Sequence, residues 1–448
     1  MVARRRGCPR WAGADRRRYS GAAAGRAGGA VNRGKPNAVR GSAADFASGA
    51  ATIIRLAARG DGATADGRFV QGAAVGDGVF FDGDRVTITP GPGHVVPVCR
   101  HVPECGGCQL QHVTDAAYAD FVADRIVRAL AHAGVAVADM MPVAMSPPRS
   151  RRRASLRAVR RGADLLLGFN AEASHRIIDI AQCEVLAPEL FGLVAPLRAL
   201  LKASLAQGQG AGVTLTMSDT GTDVLLANIA AETIAQIERL TGFAAAHDLA
   251  RLSVEGAHGV ETVAMARMPV LAMGGVPVTL PPAPFLQATR AGEAALVAAV
   301  AEAVGTAKRV ADLFCGLGTF ALPLSARAKV LAADAAGPAV AALESAARQF
   351  GRPVQAMHRD LFRRPLTTTE LNAFDAVVFD PPRAGAEAQS RMLAASKVPI
   401  VVAVSCNPST FARDAAILIK GGYRLSRLWP VAQFRWSTHV ELVAEFNR

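Results

Sequence analysis

The C-terminal third of the chain holds two side chains whose surroundings suit covalent chemistry. Cys406 stands in the string SCNP, directly after the apolar run PIVVAVS and before a helical segment. A thiol in this position lies near the positive end of a helix dipole, which favours the nucleophilic thiolate. Glu441 lies in the last strand-like run, which is otherwise apolar, and a carboxylate there could accept a proton.

Acidic side chains follow three further apolar strands of the same region. Asp334 ends KVLAAD, Asp360 closely follows PVQAM, and Asp380 ends DAVVFD. Because the carboxyl ends of parallel strands meet at one edge of a sheet, we expect these acids to face one crevice. The Gly-X-Gly turn within residues 315–319 would let the backbone approach a ligand closely. The third glycine of a dinucleotide fingerprint is missing, so the layout favours S-adenosylmethionine over NAD.

A cysteine-rich knuckle and one distant cysteine form a second group of candidate ligands. Cys99, Cys105 and Cys108 supply three thiols in ten residues, and Cys183 follows 75 residues later. In a protein expected to stay in a reducing compartment, such spacing favours metal binding over disulfides. Four thiolates could hold zinc or a 4Fe-4S cluster, and the three-plus-one arrangement departs from the paired spacing usual for zinc.

Hydrophobic patterning divides the chain into four parts that would position these residues. Residues 1–47 are basic and aperiodic, and we expect them to be disordered. Short β-type runs broken by Gly-Asp and Asp-Gly turns predict a small OB-like β-barrel over residues 48–98. A mixed α+β domain is predicted over 99–280, with an amphipathic helix at 115–134 whose apolar stripe would be core. From 281 to 448, strands alternate with Ala-rich helices, which predicts a doubly wound, Rossmann-like α/β sheet.

Most of the net charge of +13 lies at the start of the chain. Residues 1–40 hold eleven Lys and Arg against a single acid, so a nucleic-acid signal elsewhere must come from clustering. Seven Arg within residues 149–161 form such a cluster, which could contact RNA phosphates or be an ordinary solvated face. No apolar run reaches the about 18 residues of a membrane span. We therefore expect a cytoplasmic monomer that makes no membrane contact.

Several short strings resemble the motifs of a known family. DPPR at 380–383, SCNP at 405–408 and HVE at 439–441, in this order, closely resemble the RNA 5-methyluridine methyltransferases. FLQ at 285–287 is similar to that family's Phe-X-Gln motif, and DLFCGLG at 312–318 looks like its cofactor loop. The resemblance extends from the predicted barrel to the last strand, and the combination of motifs is highly specific.

The resemblance implies methylation of uridine carbon 5 in RNA with S-adenosylmethionine as methyl donor. Cys406 would be the nucleophile and Glu441 the base. The side chains that would line the cofactor and target-base site are Gln287, Phe314, Thr319, Asp334, Asp360 and Asp380. The family usually has Asn where this chain has Thr289 and Thr319, and the segment 433–437 lacks its usual Phe-Pro.

The knuckle and the barrel resemble one branch of this family. The Cys spacing followed by QLQH looks like its iron–sulfur branch, and the barrel resembles a TRAM domain. The implied ligands of a 4Fe-4S cluster are Cys99, Cys105, Cys108 and Cys183. This combination favours 23S ribosomal RNA as the substrate, with transfer RNA as the alternative. A non-catalytic RNA-binding protein with a decayed domain stays open, whereas a DNA cytosine methyltransferase normally has Pro where Ser405 stands.

Overall fold

A six-stranded antiparallel sheet begins the part of the chain that the computed structural model describes, namely residues 39–40, 48–137 and 139–448. The predicted basic extension otherwise lies outside these residues. The strands are β1 (Val39–Arg40), β2 (Gly49–Leu56), β3 (Gly62–Thr64), β4 (Phe69–Val70), β5 (Gly78–Asp82) and β6 (Arg85–Thr89). Their order is β1-β4-β3-β2-β5-β6, and β2 pairs with both β3 and β5 around a small core of its own. This half-barrel is consistent with the predicted N-terminal barrel.

The middle of the chain forms a second sheet that is covered by helices on one face. Its elements, in chain order, are α1 (Asp115–His132), β7 (Asp139–Met140), β8 (Ala144–Met145), β9 (Arg153–Arg161), β10 (Asp164–Asn170), β11 (Ile177–Asp179), α2 (Pro188–Gly192), α3 (Val194–Ser204), β12 (Gly210–Ser218), β13 (Gly221–Ala227), α4 (Ile234–Ala246), β14 (Arg251–Gly256), β15 (Gly259–Met265), β16 (Val270–Met273) and β17 (Val276–Thr279). The sheet order is β11-β10-β9-β12-β13-β14-β15. Leucines of α3 pack on the inward residues of β9, β10 and β12, while β16 and β17 form a separate hairpin.

The C-terminal part is the predicted doubly wound sheet. Its elements are α5 (Arg290–Val304), β18 (Arg309–Leu313), α6 (Ala321–Leu324), β19 (Lys329–Asp334), α7 (Gly337–Gln349), β20 (Val354–His358), α8 (Thr368–Leu371), β21 (Ala376–Phe379), α9 (Glu387–Ala395), β22 (Ile400–Ser405), α10 (Pro408–Lys420), β23 (Arg424–Ala432) and β24 (Glu441–Asn447). The strands β20-β19-β18-β21-β22 are parallel, and β24 is antiparallel between β22 and β23. The strand order reverses between β18 and β21, which is where such sheets open a ligand crevice. The predicted α/β fold class is confirmed.

Helix α1 joins the segment after the knuckle to the C-terminal sheet. Thr114 caps the helix by accepting a hydrogen bond from the backbone of Ala117. The structure buries all five positions of the predicted stripe, which are Tyr118, Phe121, Val122, Ile126 and Leu130. These side chains share one core with the C-terminal sheet, and β7 and β8 extend that sheet by pairing with β23. Within the described residues, no helix is long and apolar enough to cross a membrane.

Candidate active site

One large cavity opens at the carboxyl edge of the parallel strands, with a volume of about 1400 Å³. The predicted site residues that line it are Cys99, Cys105, Cys108, Cys183, Gln287, Phe314, Asp334, Asp380, Cys406 and Glu441. The cavity exceeds the about 300–1,000 Å³ of an ordinary small-molecule pocket. It therefore has room for a cofactor and a second bound group.

The loop that carries Cys406 is fixed by its neighbours. It follows β22, and the side chain of Asn407 caps α10 by accepting a hydrogen bond from the backbone of Ser409 at 3.1 Å. The other end of the same amide donates to the carbonyl of Arg383 at 2.9 Å, and the hydroxyl of Thr410 donates to that carbonyl at 3.2 Å. The SCNP and DPPR strings are thus held together as one rigid wall of the cavity.

Strand register brings Glu441 opposite Cys406. In the antiparallel pair β22–β24, Ser405 faces Leu442. Continuing the same register by one residue places Cys406 across from Glu441, the first residue of β24. The two side chains are separated by 35 positions in sequence and line the same cavity. This is the geometry that a nucleophile and a base acting on one small ring require.

Burial sets the ionisation of this pair. It raises the pKa of Glu441 to about 8, and the charge of Asp380 adds to the rise, while a hydrogen bond from Gln433 and the charge of Arg383 oppose it. Burial also raises the pKa of the Cys406 thiol to about 11, with Glu441 and Asp380 adding to the rise. Burial and the two carboxyl groups therefore oppose the thiolate that the helix terminus was expected to favour, while Arg383 favours it.

A chain of hydrogen bonds runs behind the cavity wall. Gln433 Nε2 donates to Gln287 Oε1 at 2.7 Å, and Gln287 Nε2 donates to Asp380 Oδ2 at 3.3 Å. Burial raises the pKa of Asp380 to about 7, the charge of Asp334 adds to the rise, and the bond from Gln287 opposes it. Sequence reasoning missed Gln433, which lay in the segment noted only for its lack of Phe-Pro. A single glutamine before the HVE string belongs to no periodic pattern and to no spacing motif, so there was no reason in the sequence to select it.

The glycine turn after β18 is joined to Asp334 through the backbone. Gly316 and Gly318 have positive φ, which glycine allows without strain. Phe314 also has a positive φ, of +62°. Asp334 Oδ2 accepts from the N–H of Gly316 at 2.9 Å, and Oδ1 accepts from the N–H of Ala336 at 2.7 Å. The carboxylate is thereby held at the mouth of the turn, with lone pairs left to accept the hydroxyls of a ribose. A carboxylate that can accept ribose hydroxyls, beside a glycine turn, suits the binding of S-adenosylmethionine.

Two predicted cofactor residues lie outside the cavity lining. Asp360 uses Oδ1 to accept the backbone N–H groups of Phe362 and Arg363 at 3.0 and 3.2 Å, so its carboxylate stabilises its own turn. Thr319 lies in the turn beyond the lining residues Gly316 and Leu317. Phe362, which the sequence did not single out, does line the cavity, and its ring centroid is 5.4 Å from that of Phe314.

The four cysteines of the knuckle group are brought to one wall of the same cavity. All four are free thiols, and burial raises the pKa of Cys105, of Cys183 and, to about 12, of Cys108. Each of these three sulfurs also accepts a hydrogen bond, from Gly107 to Cys105, from Gln111 to Cys108 and from the backbone at 185–186 to Cys183. Among the described residues, however, no three His, Cys, Asp or Glu side chains are close enough to form a ready metal site.

The arginine run of residues 149–161 does not form a single surface. Arg149 pairs with Glu184, and Arg152 is buried in an ion pair with Glu293. Arg151 lies in the cavity wall 5.5 Å from the ring of Phe434. The remaining arginines on the open face of β9 are Arg153, Arg157 and Arg161. The alternation of a strand therefore leaves only part of the run for RNA phosphates.

Comparisons with known proteins agree with this fold. A family model for tRNA (uracil-5-)-methyltransferases matches residues 283–445. An uncharacterised RNA methyltransferase of Zymomonas mobilis is 45% identical over 396 residues, covering 88% of this chain and 99% of that protein. The 23S rRNA (uracil(1939)-C(5))-methyltransferase of Nitrosococcus oceani is 30% identical over 421 residues, covering 85% and 91%. The structure of Pyrococcus abyssi tRNA (uracil-54, C5)-methyltransferase with S-adenosyl-L-homocysteine superposes with a TM-score of 0.70 at 21% identity, covering 89% and 99%.

Fold, cavity and relatives define an S-adenosylmethionine-dependent enzyme that acts on RNA. The alternative of a DNA-directed enzyme is not supported by any of these relatives. The chain belongs to the RNA 5-methyluridine methyltransferase family and is an RNA uracil methyltransferase.

Proposed function

We propose that the protein methylates carbon 5 of a uridine in 23S ribosomal RNA, with Cys406 as nucleophile and Glu441 as base. These roles are supported mainly by the β22–β24 register, which, continued by one residue, brings Cys406 opposite Glu441. Both side chains line the cavity that the cofactor turn also lines. The ribosomal substrate is supported by the Nitrosococcus oceani relative, which aligns over 85% of this chain.

The chemistry explains why a thiol and a carboxylate are needed. Carbon 5 of uracil is a poor nucleophile. The sulfur of Cys406 bonds to carbon 6, and the ring electrons then make carbon 5 nucleophilic. S-adenosylmethionine supplies the methyl group as a sulfonium electrophile. Glu441 then takes the proton from carbon 5, the double bond between carbons 5 and 6 re-forms, and the Cys406 sulfur leaves.

The target base must leave its stack to reach this pair. A uracil within a helix has both faces covered, so the nucleotide has to be flipped or presented from a loop. The cavity volume of about 1400 Å³ leaves room for a base beside the cofactor. Arg153 lies in the cavity wall at the start of β9. The arginines that follow it on the open face of this strand could bind phosphates of the flanking nucleotides.

The substrate is tested with transcripts of 23S rRNA, 16S rRNA and tRNA, each incubated with the protein and radiolabelled S-adenosylmethionine. We expect label in 23S rRNA, at one uridine that mass spectrometry locates. The same uridine should be methylated in RNA from wild-type cells and unmethylated in RNA from a strain that lacks the gene. Cys406→Ala serves as the inactive control. Label confined to tRNA would replace ribosomal RNA with the alternative substrate. Label in no transcript would remove the assignment of uridine methylation.

We further propose that Cys99, Cys105, Cys108 and Cys183 bind a 4Fe-4S cluster. Four free thiols line one wall, and three of them already accept hydrogen bonds of the kind that surround cluster sulfurs. A bound cluster would draw the four sulfurs together and would supply structural cross-linking; no step of the methyl transfer requires an electron. The backbone N–H groups of Gln109 and Leu110 both donate to the carbonyl of Trp436 at 2.9 Å, which links the knuckle to the segment before Glu441.

Anaerobic purification tests the cluster directly. The protein should be brown and should contain about four irons per chain. Methyl transfer should not change on addition of reductant, because the role is structural. A colourless protein with one tightly bound zinc would overturn the cluster and would leave the roles of Cys406 and Glu441 standing.

A further inference from the structure

The side chain of Gln433 lies directly behind the proposed base. We propose that Gln433 is a positioning residue for methyl transfer, whose amide holds Glu441 and the Gln287–Asp380 pair in one fixed arrangement. The proposal rests on the proposed role of Glu441 as the base. Gln433 is 3% exposed and is absent from the lining of the cavity, so it acts through its neighbours and not on the substrate.

The orientation of the Gln433 amide is determined by a backbone group. The N–H of Ala288 donates to Gln433 Oε1 at 2.8 Å, and a backbone N–H cannot accept in return. The amide nitrogen must therefore point the other way. There it donates to Gln287 Oε1 at 2.7 Å, and the same end of the amide lowers the pKa of Glu441. The flipped amide would lose both its bond to Ala288 and its bond to Gln287.

The same chain fixes the orientation of Gln287. Since Gln287 Oε1 accepts from Gln433, its own nitrogen is left to donate to Asp380 Oδ2 at 3.3 Å. The backbone carbonyl of Gln287 is held from the other side by Arg152 Nε at 3.0 Å. Two residues that line the cavity, Gln287 and Glu441, are thus oriented by a third residue that does not line it.

Gln433 is packed tightly against Gly292 on one side. A Cβ atom added to Gly292, in the first turn of α5, would lie 2.5 Å from Gln433 Cβ and 3.1 Å from its Oε1. Real Cβ atoms do not approach this closely, so glycine at this position is what allows the side chain to lie flat against α5. The hydroxyl of Thr289, which caps α5, lies at the same spot and accepts from the N–H of Gly292 at 2.9 Å.

Glu441 faces ionisable groups from two elements. Asp380 and Arg383 come from the loop after β21, and Cys406 comes from the end of β22. Gln433 is the neutral donor in this group, and its hydrogen bond favours the carboxylate against burial. Loss of this bond should leave Glu441 both less well oriented and harder to ionise.

The test compares Gln433→Met with the wild type across pH in a single turnover, and it follows proton removal as the release of tritium from carbon 5 of the target uridine. Methionine retains much of the volume but cannot donate. At neutral pH the rate should fall about 10-fold to 100-fold, as expected for an impaired general base, and part of the loss should be recovered at high pH. Because proton removal follows methyl transfer, the variant should accumulate a covalent adduct between Cys406 and the RNA. Gly292→Ala, which displaces the amide without removing it, should shift the profile in the same direction.

The matched control is Gln389→Met. Gln389 is as deeply buried as Gln433, and its amide bonds the backbone of Leu366; neither Gln389 nor Leu366 lines the cavity. It should lower the melting temperature without changing the pH profile or trapping RNA. If Glu441→Gln stalls as an adduct while Gln433→Met keeps the wild-type profile, only the positioning role is overturned. If Glu441→Gln turns over normally, the base assignment itself fails and the positioning role fails with it.

Discussion

The raised pKa of Glu441 predicts an unusual pH dependence for the proton-removal step that follows methyl transfer. A base must be deprotonated to act, so a carboxyl with a pKa of about 8 is active above that pH and is lost as pH falls. At pH 7 only about a tenth of the molecules would carry the carboxylate, and at pH 6 about a hundredth. We expect the rate of proton removal from the methylated adduct to rise about tenfold per pH unit from about pH 6 to about pH 7 and to level off above about pH 8.

The charge of Asp380 accounts for part of this behaviour and can be removed. Asp380 raises the pKa of Glu441, so Asp380→Asn should move the midpoint of the profile to lower pH, whatever its effect on the maximal rate. The assay is rapid-quench release of tritium from a short RNA that carries tritium at carbon 5 of the target uridine, because this release reports proton removal directly. A profile that is flat from about pH 6 to about pH 9, or a midpoint that does not move in Asp380→Asn, would refute the electrostatic reasoning.

The thiol step can be measured separately with RNA that contains 5-fluorouridine, which has no removable proton at carbon 5. Adduct formation should depend on Cys406 and should survive in Glu441→Gln, because this step precedes proton removal. Above about pH 8, Glu441→Gln should form the adduct at least as fast as the wild type, since the charge that raises the pKa of Cys406 is gone. Its turnover should fall about 10²-fold to 10⁴-fold. An adduct in Cys406→Ala would contradict the nucleophile.

Three further changes test the surrounding structure. Cys183→Ser should lose iron, visible absorbance and solubility together, measured on anaerobically purified protein; full iron content in the variant would exclude Cys183 as a ligand. Gly318→Ala should destabilise the fold by about 1–3 kcal/mol in urea titrations, because glycine there has φ +91° and a Cβ would lie 2.5 Å from Leu343; unchanged stability would contradict the packing argument. Replacing Arg157 and Arg161 with Gln should weaken RNA binding and flatten its salt dependence by about one unit of slope per lost contact, and equal binding at low salt would return both to an ordinary solvated face.

Local patterns in the sequence were sufficient to predict the elements and the strand-end residues. The stripe of α1 was visible because side chains at helical spacing share a face, and all five of its positions are buried. Cys406, Asp334 and Asp380 were predictable because each follows an apolar strand of one parallel sheet. Asp360 also follows a strand, but its Oδ1 bonds its own turn and the residue lies outside the cavity lining, so its predicted contact with the cofactor stays a prediction.

Features that depend on distant pairs of residues were not visible in the sequence. The pairing of β7 with β23 joins Met140 to Leu428, so a segment predicted to belong to the central domain contributes to the C-terminal sheet. The amide of Gln433 bonds Gln287, which lies 146 positions away in the sequence, so the contact exists only in the folded chain. The rise in the pKa of Cys406 could not be predicted, because the helix terminus is a local feature, whereas burial and the facing carboxyl groups arise from the assembled fold.

The insertion of β24 between β22 and β23 has a consequence for how the enzyme is made on the ribosome. The strand that carries Glu441 enters the interior of a sheet whose other members have all been synthesised before it. Until residues 441–447 have left the exit tunnel, β22 and β23 lack their shared partner and the cavity lacks the side chain of Glu441. The nascent chain can by then already hold Cys406 and the cofactor turn. Under the proposed roles such a chain could form the covalent adduct but could not release it, so closure of the sheet and completion of the site depend on the same late-synthesised strand.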